Sequence, residues 1–259
     1  RGYTPASLRN FVDSAGVAKR DNIIDMSLLE HSIREDLNVK SPRVMAVLNP
    51  IKLTISNYPD GQEEFLEGEI NPEQLGLGTR KIPFSKNIFI EREDFRESAN
   101  KKFFRLTLEK EVRLKNAYII KGESVIKDKE GNITEIICTY DPESKSGSGS
   151  EASMRKVKGT LHWVSQQHAF SAEVRLYDRL FQVSSPDQDK LVDFKSHLNS
   201  DSLSIITAFV EPSLKGAKDF ENYQFQRLGY FVVDPDSTPE LLVFNKTVGL
   251  RDTWSKRNQ

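Results

Sequence analysis

The sequence predicts a mainly β fold behind a short helical segment, and three observations carry that prediction. Apolar residues recur at helical spacing only up to Lys40. From Arg43 onward the chain breaks into short apolar or alternating runs, which argue strands. Between them stand reversal signals such as Asp60-Gly61 and Glu130-Gly131-Asn132. Many short antiparallel strands with this punctuation form barrels or sandwiches. At 259 residues the chain has room for two or three domains, and its apolar content is that of a folded protein.

Thr4 is placed to cap a first helix with Pro5 at its first position, and Leu8 and Phe11 follow at helical spacing. A second helix is predicted from Met26 to Leu37, where Met26, Leu29, Ile33 and Leu37 form one apolar stripe. Ser41-Pro42 ends it. Strands are then predicted at Val44–Leu48, Lys52–Ile55, Phe65–Glu67, Lys81–Phe84, Ile88–Glu91, Phe104–Leu108 and Val112–Leu114. The series continues with Tyr118–Lys121, Ile133–Tyr140, Lys156–Trp163, Phe170–Leu176, Ser202–Phe209, Tyr223–Leu228 and Leu241–Asn245. Short helical interruptions are expected at Arg92–Lys101 and near Lys190–Leu198. Ser144–Ala152, with Ser-Gly-Ser-Gly-Ser at its centre, is a flexible loop by composition. No internal sequence repeat is strong enough to count.

The chain as a whole is electrically balanced at net charge -1, yet Lys101–Lys121 holds seven Lys or Arg against two Glu. A groove for phosphates needs such local cations and does not need a basic protein. Alternation places Phe104, Leu106, Leu108, Val112 and Leu114 on one face, and Arg105, Thr107, Arg113 and Lys115 on the other. Read alone, this is the solvated outer face of a half-buried sheet. Tyr223-Gln224-Phe225-Gln226-Arg227 combines side chains suited to base edges with rings suited to stacking, although an ordinary two-faced strand has the same text. Phe244–Trp254 reads as a docked C-terminal strand and turn, and Arg43 as a charge at the helix-to-strand junction.

Other chemistries are missing from the text. His31, His162, His168 and His197 lack metal-ligand spacing, so no metal is expected. Gly76-Leu77-Gly78 lacks the Gly-Lys-Ser/Thr of a phosphate loop and reads as a turn. No Gly-x-Ser-x-Gly elbow occurs, and Cys138 sits in a strand-like run as a small apolar residue. Carboxylates such as Asp94 and Glu97 read as scattered surface charge, so no acid and base pair and no catalytic residue is nominated. The single cysteine excludes an internal disulfide and suits a reduced, cytoplasmic setting. No apolar run approaches the roughly 18 residues of a membrane span. The opening Arg1-Gly2-Tyr3-Thr4-Pro5 runs straight into helix chemistry and reads as the start of a piece cut from a longer chain.

A set of collinear phrases gives these pieces a common origin. Arg1–Thr4, Ile33–Asn38, Pro42–Val47, Lys110–Tyr118, Leu161–Val164, Arg175–Phe181 and Thr247–Asp252 occur in the order found in the bacterial-type glutaminyl-tRNA synthetase family. The chain resembles the C-terminal part of that family over essentially its whole length. The resemblance implies two anticodon-binding β-barrels preceded by a small helical segment. Residues 1–41 would be the tRNA-contacting helical segment; 42–100 with about 200–259 a discontinuous first, proximal barrel; and about 101–199 the second, distal barrel. It also implies a cytoplasmic monomer whose partners are glutamine tRNA, through its anticodon loop, and a missing N-terminal catalytic domain. The parent would ligate glutamine to tRNA with ATP and Mg. The family's nucleotide-binding motifs are absent, so this piece is expected to be inactive alone and to bind no cofactor.

By position, the resemblance puts Arg43, Gln224 and Arg227 around the middle uridine, and Arg105 on the third base. Arg113 and Lys115 fall near the first base and its phosphate, and Thr253 near the anticodon pocket. Lys115 stands where the family often has Arg, which keeps the charge and loses the two-pronged fork. Lys102 stands where the family carries Gln and Phe104 where it carries Lys; Phe104 is expected to turn inward with Leu106 and Leu108. Two alternatives remain open at this point: the related archaeal and eukaryotic glutamyl-tRNA synthetases, and a stand-alone β-barrel interaction module.

Overall fold

The computed structural model describes residues 1–20, 23–74 and 76–251. Helix α1 (Pro5–Ala15) starts where Thr4 predicts, its hydroxyl accepting from Ser7 N at 3.1 Å. Helix α2 (Met26–Lys40) buries Ile33 and Leu37, whereas Met26, at the first turn of the predicted stripe, is exposed. The Asn71 amide donates to the carbonyls of Asn38, Val39 and Ser41 and so satisfies the end of α2. Then follow β1 (Arg43–Val44), β2 (Ala46–Val47), β3 (Pro50–Ile55), β4 (Glu63–Glu69), β5 (Thr79–Ser85), β6 (Asn87–Glu91), β7 (Glu111–Leu114) and β8 (Ile119–Lys127). After these come β9 (Ile133–Asp141), β10 (Thr160–Leu161), β11 (Val164–Ser165), β12 (Phe170–Tyr177), β13 (Leu203–Val210), β14 (Asn222–Phe225), β15 (Gly229–Val233) and β16 (Leu242–Gly249).

The strands make two seven-stranded sheets and the hairpin β4–β5. The first sheet runs β1-β14-β15-β16-β12-β13-β2 and the second β10-β7-β8-β9-β3-β6-β11. In each, the two edge strands are consecutive pieces of one short segment. Met45 alone separates β1 from β2, and His162-Trp163 separates β10 from β11. Each sheet therefore curls until its edges meet on a shared segment, and both are barrel-like, as predicted.

The two barrels share one pairing plan. In each the closing segment pairs in parallel with the first strand of a three-stranded meander, the meander's last strand lies parallel to the next strand, and the remaining contacts are antiparallel. The chain order is rotated. The closing segment comes first in the first barrel and last in the second. Strand membership consequently departs from the expected grouping: β3 and β6 lie in the second sheet and β12 lies in the first. The cause is the long-range parallel pairing of β3 with β9 and of β12 with β16, which proximity in sequence does not signal.

Arg43–Val47 supplies both cores. Val44 and Ala46 enter the first with Phe225, Phe231 and Phe244; Met45 and Val47 enter the second with Phe84, Leu114 and Trp163. A strand buried on both faces reads as a continuous apolar run, which is what Val44–Leu48 is. Its backbone is closed by buried carboxylates. Met45 N donates to Glu211 Oε2 at 2.8 Å, and Leu48 N and Asn49 N donate to the two oxygens of Glu91. Glu211 also takes a two-pronged contact from Arg80 on the β4–β5 hairpin, at 2.5 and 3.1 Å. Phe89 and Phe209 stack between the barrels, with ring centroids 4.5 Å apart.

Five local predictions fail. Phe104–Leu108 forms isolated bridges through Leu106 and Leu108 in place of a strand. The chain crosses so close to Gly159 that a Cβ there would collide with the Phe104 carbonyl, and the ring is turned out, 53% exposed. Lys156–Trp163 yields only the short β10, and His162-Trp163 stands outside both β10 and β11. The helices expected at Arg92–Lys101 and Lys190–Leu198 shrink to 3-10 turns at Arg92–Asp94 and Phe194–His197. Tyr223–Leu228 ends early at Phe225, because the turn before β15 follows it.

Removal of the Glu211 carboxylate leaves the buried Met45 N–H without its acceptor and the buried Arg80 guanidinium with only its contact to Glu69 O. Glu211→Ala is expected to lower stability by about 3–5 kcal/mol, and Lys86→Ala, which breaks the exposed pair with Asp60, by less than about 1 kcal/mol. Urea unfolding of the two variants checks this; equal losses would show that Glu211 is not a keystone.

Candidate nucleic-acid interface

The equivalence of the barrels places two turns in matching positions. In the first barrel β14 and β15 are joined through Gln226-Arg227-Leu228, and in the second β7 and β8 through Lys115-Asn116-Ala117-Tyr118. Both turns hold a side-chain-bearing residue in the left-handed region, Arg227 at φ 67° and Asn116 at φ 60°. Asn tolerates that region better than most residues, whereas Arg does not. Registers match as well, Gln224 lying beside Arg43 and Arg113 beside Thr160. Between the turns is a cleft of about 650 Å³ lined by Arg43, Lys115, Asn116, His162, Gln224 and Arg227, among others.

Arg227 is held by a bidentate pair with Asp94, Nη1 to Oδ2 at 2.5 Å and Nη2 to Oδ1 at 2.7 Å. The same carboxylate lies 3.2 Å from Arg105 Nε, and Arg105 Nη1 donates to Glu93 O at 3.1 Å. One buried carboxylate thus serves two guanidiniums and leaves the cluster cationic. Arg227 Nη1 is also 3.1 Å from His162 Nδ1. A guanidinium only donates, so Nδ1 accepts and the imidazole proton sits on Nε2, facing Glu91 Oε1 at 3.4 Å. The network assigns this tautomer.

Beside it, Arg43 Nη2 donates to Asn38 Oδ1 at 3.1 Å and lies 3.5 Å from Glu73 Oε1. Gln224 Nε2 donates to the Tyr230 hydroxyl at 3.2 Å, and that hydroxyl donates to Asn38 Oδ1 at 3.3 Å. Burial pushes the Tyr230 phenol upward, which keeps it protonated as that donor. Arg43 Nε is buried with no partner among the described residues. An unpaired donor in a cleft wall is a position that a ligand acceptor can satisfy.

The structure brings together Arg43, Gln224, Arg227 and Lys115 in one cleft, and joins Arg105 to them through Asp94. It does not bring Arg113 there. Its guanidinium donates to Ser144 O, Ser146 Oγ and Ser153 O at 2.8–3.1 Å and holds the loop before β10. Burial lowers its pKa, with Arg155 adding to the effect. Lys102 is exposed and outside that cleft, and Thr253 lies outside the described residues. Sequence reading missed Asp94, taken there for surface charge and here 2% exposed. His162, weighed there only as a metal ligand, orients Arg227. Neither role has a local signal, because both depend on the other barrel's turn.

The chain belongs to the anticodon-binding domains of class I tRNA synthetases of the E and Q group: two family models of that description match residues 41–141 and 160–234. Among curated relatives it is similar to the glutamine–tRNA ligase of Rhodopirellula baltica, 54% identical over 99% of this chain and 42% of that protein. The glutamine–tRNA ligases of Vibrio parahaemolyticus and Salmonella paratyphi B are 54% and 52% identical over 99% and 100% of the chain, in each case 46% of their own length. The chain therefore spans just under half the length of these relatives.

Loss of the Asp94 charge alone tests the hub. Asp94→Asn keeps the shape and is expected to cost about 1.5–3 kcal/mol of stability, the range for hydrogen bonds to charged groups. In a double-mutant cycle Asp94→Asn and Arg227→Gln should couple by more than about 0.5 kcal/mol. Additive losses would show that the pair acts independently.

Proposed function

We propose that this chain is the anticodon-binding part of a glutamine–tRNA ligase, and that it reads the anticodon loop of glutamine tRNA in the cleft between the two barrel turns. The observation that supports the reading most directly is the convergence of Arg43 with Gln224 and Arg227, from two chain segments far apart in sequence, in one cleft. Sequence-specific RNA readers hold unstacked bases by their edges, and an amide beside two guanidiniums offers donors and an acceptor for a pyrimidine edge. In this reading Arg43, Gln224 and Arg227 surround the middle uridine and Arg105 reads the guanine of the third position. Lys115 makes a point contact with phosphate near the first base. Arg113 supports the first-base pocket through the serine loop it holds, Thr253 acts near the anticodon pocket, and Lys102 is a further RNA contact.

Ligation of glutamine to tRNA with ATP and Mg belongs, in this reading, to the whole protein, which works as a cytoplasmic monomer. This chain supplies the identity check, and its helical segment lies along the tRNA. Among the described residues no group of three or more His, Cys, Asp or Glu side chains is placed to hold a metal ion. The two barrels are proposed as separate modules for the loop, the first built from 43–47 with 170–249 and the second from 50–165.

Binding of a glutamine-type anticodon stem-loop at several salt concentrations tests the reading. With about four cations on phosphates the slope of log K against log salt should be about -3. A flat salt response, or equal affinity after the middle uridine is changed, would overturn it. Arg105→Ala is expected to cost about 1–3 kcal/mol toward the cognate loop and to relax the third position. Equal affinity of the unmutated chain for guanine and adenine at that position would remove Arg105 as the reader.

A further inference from the structure

A cleft of about 790 Å³ opens between the helical segment and the first barrel, with Arg1, Glu30, Asp178 and Lys246 among its lining residues. Six of the lining side chains are cationic and three are carboxylates, so the cleft attracts anions. Its arginines are largely engaged. Arg105 and Arg227 share Asp94, Arg179 pairs with Glu30 at 2.7 Å, and Arg1 stacks 4.7 Å over the Tyr177 ring. Lys246 differs from them: it has no ion pair and no hydrogen bond among the described residues. Strand β16 places it there, opposite Phe231 of β15 and between the buried Asn245 and Thr247. The stem is half-buried and the amine reaches the cleft. Burial pushes the Lys246 pKa down and Arg1 adds to that, against the opposing pull of Asp178 and Glu30. A larger share of this amine is therefore neutral at ordinary pH than of a solvated lysine, and the neutral amine is the nucleophile.

We propose that Lys246 is an acylation site, modified directly by small acyl phosphates that enter this cleft. The inference goes beyond the anticodon reading, which makes no use of this side chain. Two features meet here that a paired surface lysine lacks: an amine with no carboxylate holding it charged, and guanidiniums close by that suit phosphate oxygens. The ammonium first loses a proton to solvent. Nζ then attacks the acyl carbon, the N–C bond forms as the C–O bond to phosphate breaks, and the phosphate leaves with the electron pair. The second proton shed by nitrogen ends on the departing phosphate. With acetyl phosphate the products are the acetyl amide and inorganic phosphate, and the side chain loses its charge.

The test treats this chain with limiting acetyl phosphate across neutral to alkaline pH and follows each lysine by quantitative peptide mass spectrometry. Lys246 should be acetylated several-fold faster than Lys86 and Lys121, which are paired with Asp60 and Glu109, and its rate should rise at lower pH than theirs. Inorganic phosphate should slow the reaction at Lys246 and leave Lys86 unchanged. The lead of Lys246 should shrink with the uncharged reagent N-hydroxysuccinimidyl acetate, and it should vanish in the urea-unfolded chain. Acetylation of Lys246 no faster than that of Lys86 would overturn the site. An equal lead with the uncharged reagent, or in urea, would overturn the role of the cleft. No RNA enters the readout, so either failure leaves the anticodon reading standing.

Discussion

The whole arrangement depends on how five residues, Arg43–Val47, satisfy their backbone and both of their faces at once. Their side chains alternate between two cores, and their edges pair with β14 in parallel on one side and with β13 in antiparallel on the other. At Met45, where the pairing changes partner, the N–H would be left without a ladder bond in a dry interior. Such a group costs about as much as a lost hydrogen bond. Glu211 takes it, and Arg80 balances the charge that Glu211 brings. Glu91 ends β6 and Glu211 directly follows β13, each beside a closing piece of its barrel. Glu91 serves the two backbone N–H groups that follow Val47. Each barrel thus contributes one buried carboxylate to the same short stretch of chain.

That junction is also what makes the cleft. Because the barrels repeat one pairing plan, the turn after each parallel-paired strand falls at an equivalent place, and the two face one another across the seam. Asp94, on the 3-10 turn that follows Glu91, reaches across to Arg227 on the first barrel's turn. Arg227 is therefore fixed by contacts between the barrels, whereas Gln224 is held within its own hairpin by Tyr230. Arg227 needs Asp94, His162 and a left-handed backbone to point as it does. Each of these comes from a different part of the chain.

Much of this was legible locally and some of it could not be. Thr4 and Pro5, Ser41-Pro42 and the hairpin at Glu130-Gly131-Asn132 read correctly because caps and turns are decided by neighbouring residues. The run Val44–Leu48 was legible as a strand, but not that its two faces belong to different cores. Phe104 misled for the same kind of reason: its alternation with Leu106 and Leu108 is sound strand logic, and the approach to Gly159, fifty-five residues along, overrides it. Arg113 and Asp94 exchanged apparent roles. The arginine that looked free is occupied by a loop of serines, and the carboxylate that looked like surface charge is buried between two arginines. Charge patterning records which groups are present, and only tertiary contact records which are already taken.

The two matched stretches, 41–141 and 160–234, do not coincide with the barrels. The first begins with the closing segment of the first barrel and then supplies the second; the second begins with the closing segment of the second barrel and then supplies most of the first. Each sequence module hands its leading strands to its neighbour's sheet, an interlock of the sort made when two subunits exchange an arm, here within one chain. During synthesis Arg43–Val47 emerges long before β12–β16 exist to receive its outer edge and face. The closing contacts of the first barrel are therefore of high sequence separation, the kind of topology that slows folding.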